Sequence, residues 1–305
     1  MSREASRYTA NIHLQTVNDS HALAIGRVPA GSRVLDLGVA DGSVAAVLTR
    51  MGCRVWGVDL DEAAAQEARM FCEKVVVGDL NRLSLVEAFD GTEFDVVLML
   101  DVLEHLADPV PVLRGVTEVL ARGGWGVISL PNVAHISARL EHLAGRFVYR
   151  DAGLLDRTHL RFFDRDGVDE LLVDAGWSAI EVARVTRPLG STEIQIDSPD
   201  PDLVRRIESE PDALTYQFVV MAAPSGSPLH EEPPLLPAAV AQAVVLDREA
   251  QIVGLRSELE RLSMQVVPDL VAQLAEMRAE SEARLRELTG TLAVIDGELG
   301  RLERR

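Results

Sequence analysis

The chain is short of positive charge. Its 305 residues include 30 basic side chains against 48 acidic ones, a formal net charge of -18. Contact with a phosphate backbone needs a basic face, so nucleic acid is excluded as the main partner. Lysine is nearly absent: Lys74 stands alone, and the other basic side chains are arginine. Chemistry that depends on lysine therefore has almost nowhere to sit. Cysteine is scarce as well. Cys53 and Cys72 are the whole complement, and they form neither a CxxC pair nor a disulfide framework. No apolar run approaches the length of a membrane span, and the opening residues lack the apolar core of a signal peptide. The expectation is a cytoplasmic protein with no membrane span. What remains is ordinary in composition, 47% hydrophobic and 26% charged, which excludes wholesale disorder. The length suits one α/β domain of about 220 residues with an extension.

Four short apolar runs punctuate the first half, at residues 33–37, 54–58, 74–77 and 94–100, and a fifth follows at 125–130. Stretches with helical spacing lie between them, at 42–51, 61–71 and 109–121. Strands alternating with helices predict a parallel sheet covered on both faces. Asp61 and Glu62 put acid at a helix start, and Pro109 suits a first helical turn. Gly123-Gly124 reads as the stop that ends the preceding helix and delivers the fifth strand.

Residues 131–163 are rich in His and Arg without a clean period, and read as an insertion or lid over the active face. Residues 164–175 read as a helix capped by Asp164 and ended by Gly176. Segments 177–185 and 215–222 read as two further strands, with a short helix at 201–210 between them. The domain is thus placed at 1–222. Residues 223–237 are proline-rich and read as a stiff linker. In 238–305, Ile252, Leu255, Leu259, Leu262 and Val266, then Leu285, Leu288, Leu292, Ile295, Leu299 and Leu302, trace a coiled-coil seam broken at Pro268. A helix packed back on the domain is the alternative reading. The seam implies a homo-oligomer or a coiled-coil partner.

The most specific signal is VLDLGVADGS at residues 34–43. An apolar strand runs into a glycine turn and then a helix. Gly38 lets the backbone turn and approach a ligand, and Gly42 permits close packing of the helix. The second strand ends in Gly57-Val58-Asp59, where a carboxylate can take both ribose hydroxyls of a nucleoside. The third ends in Gly78-Asp79-Leu80, where an acid can reach an adenine amino group. Read more blandly, these are loop acids capping helices. Three acids closing successive strands favour a nucleoside site. The order Gly38, Ala40, Gly42 is not the GxGxxG fingerprint of dinucleotide sites. Lys74 has Met70 four residues before it, so the Tyr-x-x-x-Lys of short-chain dehydrogenases is absent too.

These segments, together with WGVDLDE and FDVVLMLDVLEHLADP, resemble the class I S-adenosylmethionine-dependent methyltransferases. The PNVAH and DRTHLRFF segments look like one branch of them, whose members are often found with enzymes of glycan and surface-polysaccharide biosynthesis. The resemblance covers roughly residues 8–222. It implies a seven-stranded Rossmann-like sheet with helices on both faces and the last strand antiparallel, and S-adenosyl-L-methionine as cofactor. It also implies cofactor contacts from Asp36 and Gly38 at the amino-acid part, Asp59 and Leu60 at the ribose, and Asp79 and Leu80 at the adenine. Leu100 and Asp101 would border the methionine moiety, and Ala40 and Gly42 would complete the turn. Ala40 departs from the glycine many relatives carry; alanine is small, so it is expected to be tolerated.

Methyl transfer from a sulfonium is an in-line displacement, and a neutral hydroxyl acceptor benefits from a general base. The candidates lie where strands end. Asp101 and His105 fall one turn apart if a helical turn follows the fourth strand, and histidine titrates near neutral pH. His135 follows the fifth strand in PNVAH, with Asn132 as a cap for the next helix or a substrate contact. If residues 157–161 are extended, Arg157, His159 and Arg161 share a face that suits an anionic acceptor such as a sugar phosphate. Pairing of these arginines with Asp151, Asp156 or Asp164 is the structural alternative. Asp19 or Ser20 caps a helix near His21, or that segment closes over the cofactor. The histidines show no HxxxH or paired-carboxylate spacing, so no metal site is expected. The leading reading is methyl transfer to a hydroxyl of a sugar, glycan or other small polar acceptor. A catalytically inactive coiled-coil scaffold and a nicotinamide-dependent oxidoreductase are the alternatives.

Overall fold

The structure, a computed structural model, describes residues 18–231 and, beyond them, Arg284 alone. The coiled coil expected in 238–305 and the linker from residue 232 onward lie outside the described residues. Among those described, no helix is long and apolar enough to cross a membrane.

The apolar runs form the sheet. Its strands are β1 (Arg33–Leu37), β2 (Arg54–Asp59), β3 (Lys74–Val77), β4 (Phe94–Leu100), β5 (Leu120–Pro131), β6 (Trp177–Thr186) and β7 (Thr215–Pro224). They lie in the order β3-β2-β1-β4-β5-β7-β6. Pairings from β3 across to β5 are parallel, while β7 runs antiparallel to both β5 and β6. The seven-stranded sheet with an antiparallel final strand is as the family resemblance implied.

Alternation along the strands fills two cores. Leu35, Leu37, Val97, Met99, Phe218 and Val220 enter one, and Val34, Val96, Leu98, Val219 and Met221 enter the other. Successive side chains point to opposite faces of a sheet, so strands buried on both sides must be apolar almost throughout. The first core is closed by α5 (Pro109–Val119) and α7 (Arg165–Ala175). The second is closed by α1 (Ser20–Ile25) and α2 (Ser43–Arg50). Helix starts are set by side-chain oxygens. Asp19 accepts from Ala22 N, Asp108 from Val110 N and Asp164 from Gly167 N. Asp61 accepts from Ala63 N and Ala64 N at the start of α3 (Glu62–Ala68). Gly176 ends α7 at φ +79. The short α8 (Pro201–Glu208) lies before β7.

Three readings change. Gly123-Gly124 does not stop a helix: α5 ends at Val119, and β5 is already under way at Leu120, with a register shift against β4. A Cβ on Gly124 would sit 3.0 Å from the carbonyls of Phe94, Asp95 and Ala121, so the residue is small because backbone passes backbone there. The aperiodic segment 131–163 contains the helix expected after Asn132, α6 (Ile136–Leu143), whose extent the residue pattern hid by burying Ser137 and Glu141 among apolar groups. A four-residue helix, α4 (Leu85–Ala88), was missed. β7 extends to Pro224, and Ala223 is fully buried in it, so the strand continues beyond the expected end at residue 222.

Trp177 ties β6 to the first core. It is 1% exposed, it packs where a Cβ on Gly126 would come within 2.9 Å of its ring, and its Nε1 donates to Thr117 Oγ1 at 2.8 Å. Trp177→Ala is expected to destabilise the protein by about 3–5 kcal/mol through the cavity it leaves, measured as a shift in the urea unfolding midpoint.

Candidate functional site

Open α/β sheets bind ligands at the carboxyl ends of their strands, where the strand order reverses. Here that point lies between β1 and β4, and a cavity of about 510 Å³ opens there. Asp36, Gly38, Ala40, Asp59, Leu60, Asp79, Leu80, Leu100, Asp101 and His105 all line it. Gly42 does not. A Cβ there would meet the Ala68 Cα at 2.8 Å, so this glycine serves the approach of α2 to α3.

Backbone geometry shapes the cavity wall. Gly38 has φ +82, and a Cβ on it would lie 2.5 Å from Val102 Cγ2. Ala40 and Asp101 adopt the left-handed conformation without being glycine, at φ 47 and 56. The turn is fastened by Asp59, whose Oδ2 accepts from Ala40 N at 2.8 Å while Oδ1 accepts from Asp61 N at 2.9 Å. One carboxylate thus joins the turn after β1 to the start of α3. Asp79 is held by Asn81, through its backbone N at 2.9 Å and Nδ2 at 2.7 Å. The hydrogen bonds from Asn81 keep its carboxyl below the usual range. Asp101 Oδ1 accepts from Ser129 Oγ at 2.7 Å and from Gln217 Nε2, which fixes it from β5 and β7.

Asp36 is different in kind. It is 3% exposed, and burial, with Asp59 nearby, pushes its carboxyl up to about 7. A carboxylate kept from water at the floor of a cavity is suited to a cationic ligand. Asp36 from β1, Asp59 from β2 and Asp79 from the loop after β3 all face one space.

Of the three candidate histidines, His105 alone lines the cavity. It ends a 3-10 turn, Leu103–His105, directly after β4, and its Nδ1 donates to Thr158 O at 3.2 Å. His135 is fully buried away from the cavity. Its Nδ1 accepts from Ser137 N at 3.2 Å and its Nε2 donates to Arg187 O at 2.8 Å, so it caps α6. Burial lowers its pKa. Asn132 is buried as well: its Nδ2 donates to Asp212 O and Thr215 O, and its Oδ1 accepts from Ala134 N. It therefore neither caps α6 nor reaches the cavity.

The shared cationic face on 157–161 does not form. His159 N donates to Asp156 O in a turn, which buries His159 and leaves Arg157 and Arg161 exposed. Arg157 pairs with Asp151 at 2.8 Å, and Arg161 donates from Nε and Nη2 to Ala107 O. Neither lines the cavity. His159 instead packs against His105, ring centroids 4.9 Å apart.

The residue pattern also missed a contributor. His21, from α1, and Asn81 line the cavity. Asn81 follows the third strand without a motif to mark it, whereas His21 belongs to the segment that the sequence offered as closing over the cofactor. Glu104 is 1% exposed, and neither carboxylate oxygen has a hydrogen-bond partner among the described residues. Burial, reinforced by Asp101 and Asp156, raises its pKa well above the ordinary range.

Fold and cavity define an α/β protein with a nucleoside-type site at a topological switch point. Residues 10–182 match the family described as a methyltransferase domain, and the chain belongs to it. A ubiquinone biosynthesis O-methyltransferase from Psychrobacter arcticus is 30% identical over 180 residues, covering 56% of this chain and 69% of that protein. One from Ruegeria pomeroyi is 31% identical over 154 residues, covering 50% of this chain and 62% of that protein. Among solved structures, magnesium protoporphyrin IX methyltransferase from Synechocystis, with bound SAH, is 20% identical with a TM-score of 0.46, covering 70% of this chain and 84% of that one. A SAM-dependent methyltransferase from Archaeoglobus fulgidus is 18% identical with a TM-score of 0.46, covering 67% of this chain and 94% of that one.

Asp36 carries a linkage test. A carboxyl whose folded pKa lies above its unfolded value near 3.9 binds more protons when folded, so stability falls as pH rises between the two. With the folded value at about 7, this group should cost the ligand-free protein up to about 4 kcal/mol between pH 4 and pH 8. Urea unfolding at both pH values should show a steeper loss for the native protein than for Asp36→Asn. Equal slopes would mean that Asp36 titrates normally.

Proposed function

We propose that this protein is an S-adenosylmethionine-dependent O-methyltransferase acting on a small hydroxyl-bearing acceptor. The observation that carries the reading is the convergence of Asp36, Asp59 and Asp79 on one cavity whose next wall holds Asp101 and His105. Asp79 and Leu80 would hold the adenine, Asp59 the ribose hydroxyls and Asp36 the ammonium of the methionine part. Bound there, S-adenosylmethionine supplies a methyl group made electrophilic by its sulfonium. The chain's own contribution is placement. Its fixed turn and buried acid set the cofactor's position, and the wall formed by Leu100, Asp101, Val102, His105 and Leu106 faces the acceptor. Holding two reactants in line supplies a large part of the acceleration in a displacement of this kind.

Of the three candidate histidines, His105 is the one placed to meet the acceptor, since His135 and His159 lie outside the cavity lining. Oxygen as the accepting atom is supported by the relatives, which carry the name O-methyltransferase. An anionic sugar acceptor has lost the feature that argued for it, because Arg157 and Arg161 are engaged elsewhere. The domain division at the proline-rich segment and association through the C-terminal seam remain part of the proposal, resting on the residue pattern alone.

The test is methyl transfer from labelled S-adenosylmethionine to a panel of phenols, catechols and sugars. His105→Ala should lower kcat by about 100-fold, the scale of a misplaced acceptor, with affinity for S-adenosylhomocysteine unchanged. An unaltered kcat in that variant would remove His105 from the acceptor site.

A further inference from the structure

Glu104 poses a physical problem that the methyl-transfer reading does not solve. A buried carboxylate is normally paired or hydrogen-bonded, because leaving one bare is costly. Glu104 is 1% exposed, and both of its oxygens lack a partner among the described residues. Its surroundings are built with care all the same. The Glu104 carbonyl accepts from Leu160 N at 2.8 Å and Arg161 N at 3.0 Å. Those bonds draw the turn carrying His159 onto the turn carrying His105. As a result, one ligand atom each from Glu104, His105 and His159 lie within 4.8 Å of one another.

The two imidazoles stand edge to face, with ring centroids 4.9 Å apart. Thr158 O can only accept, so His105 Nδ1 carries the proton and the ring's lone pair is on Nε2. Imidazoles that bind metals characteristically donate their other ring N–H to a carbonyl or carboxylate, which fixes tautomer and orientation. Asp156, held by Thr158 N at 2.7 Å and Thr158 Oγ1 at 2.6 Å, adds a second negative charge near both rings.

We propose that Glu104, His105 and His159 bind one divalent transition-metal cation of the zinc type. Two imidazole nitrogens and one carboxylate oxygen suit zinc, cobalt or manganese; magnesium and calcium take sets of oxygen ligands. Donors around a tetrahedral cation stand roughly 3.4 Å apart, given metal–ligand bonds near 2.1 Å. The three side chains therefore draw together on binding. His105 also lines the cavity, so the position left open by the protein's three ligands faces the acceptor, as in metal sites that handle a substrate oxygen. This role rests on the methyl-transfer reading; the cation site itself does not. In it His105 acts as a ligand, not as a proton acceptor.

The experiment uses the full, untagged chain, stripped with a chelator and dialysed. Cobalt(II) is added while visible absorption is followed, because low-coordinate cobalt gives intense bands. One equivalent is expected to bind, zinc to displace it and magnesium to leave it in place. Glu104→Gln and His159→Asn should each weaken binding at least tenfold. Unchanged S-adenosylhomocysteine affinity in both variants shows that they are folded, since neither residue lines the cavity. Absence of the cobalt bands, or equal affinity in the native protein and both variants, overturns the site. Failure of the native protein to bind S-adenosylhomocysteine would count against the methyl-transfer reading instead, and leaves the cobalt result to stand on its own.

Discussion

The strand order reverses between β1 and β4, and the cavity depends on that reversal. Chains leaving the two strands diverge to opposite faces of the sheet, so no backbone crosses the space above their carboxyl ends. Most of what lines the cavity is delivered by strand ends near this point, with His21 added from α1. β1 brings Asp36 and the glycine turn, β2 brings Asp59, the loop after β3 brings Asp79, and β4 leads to Asp101 and His105. The Asp59 carboxylate then locks the arrangement by accepting from Ala40 N and Asp61 N.

Cost is concentrated in the same place. Ala40 and Asp101 both line the cavity in a left-handed conformation that a Cβ disfavours, and such strain persists where the surroundings fix it. Asp36 is a carboxylate withheld from water, and Glu104 just behind the wall is another. Perturbed acids cluster at sites that bind or react. The two proposals give each a chemical complement: the cationic end of a methyl donor for Asp36, and a metal ion for Glu104.

The strands were legible in the sequence because burial on both faces forces short, nearly continuous apolar runs. The acids at 36, 59 and 79 were legible because the strand ends could be located from those runs. Legibility failed where placement depends on distant partners. The extent of α6 is hidden because Glu141 is buried against Arg150, at 2.8 Å, and Ser137 against Thr192, at 3.1 Å; neither pairing has a periodicity. Reading 157–161 as extended gave the wrong face for His159, since a turn from Asp156 rotates it inward. The meeting of His159 with Glu104 and His105 follows from two backbone bonds to the Glu104 carbonyl, which no local spacing announces. Gly123-Gly124 was misread because a helix stop and a tight crossing of backbones ask for the same residue.

The measurement that bears most directly on the central claim is calorimetric titration of the full chain with S-adenosylhomocysteine, with NAD as control and Asp59→Ala alongside. The expected result is one site for S-adenosylhomocysteine, none for NAD, and loss of binding in the variant. No binding by the native protein, or equal binding by Asp59→Ala, would contradict the assignment of this cavity to a methyl donor.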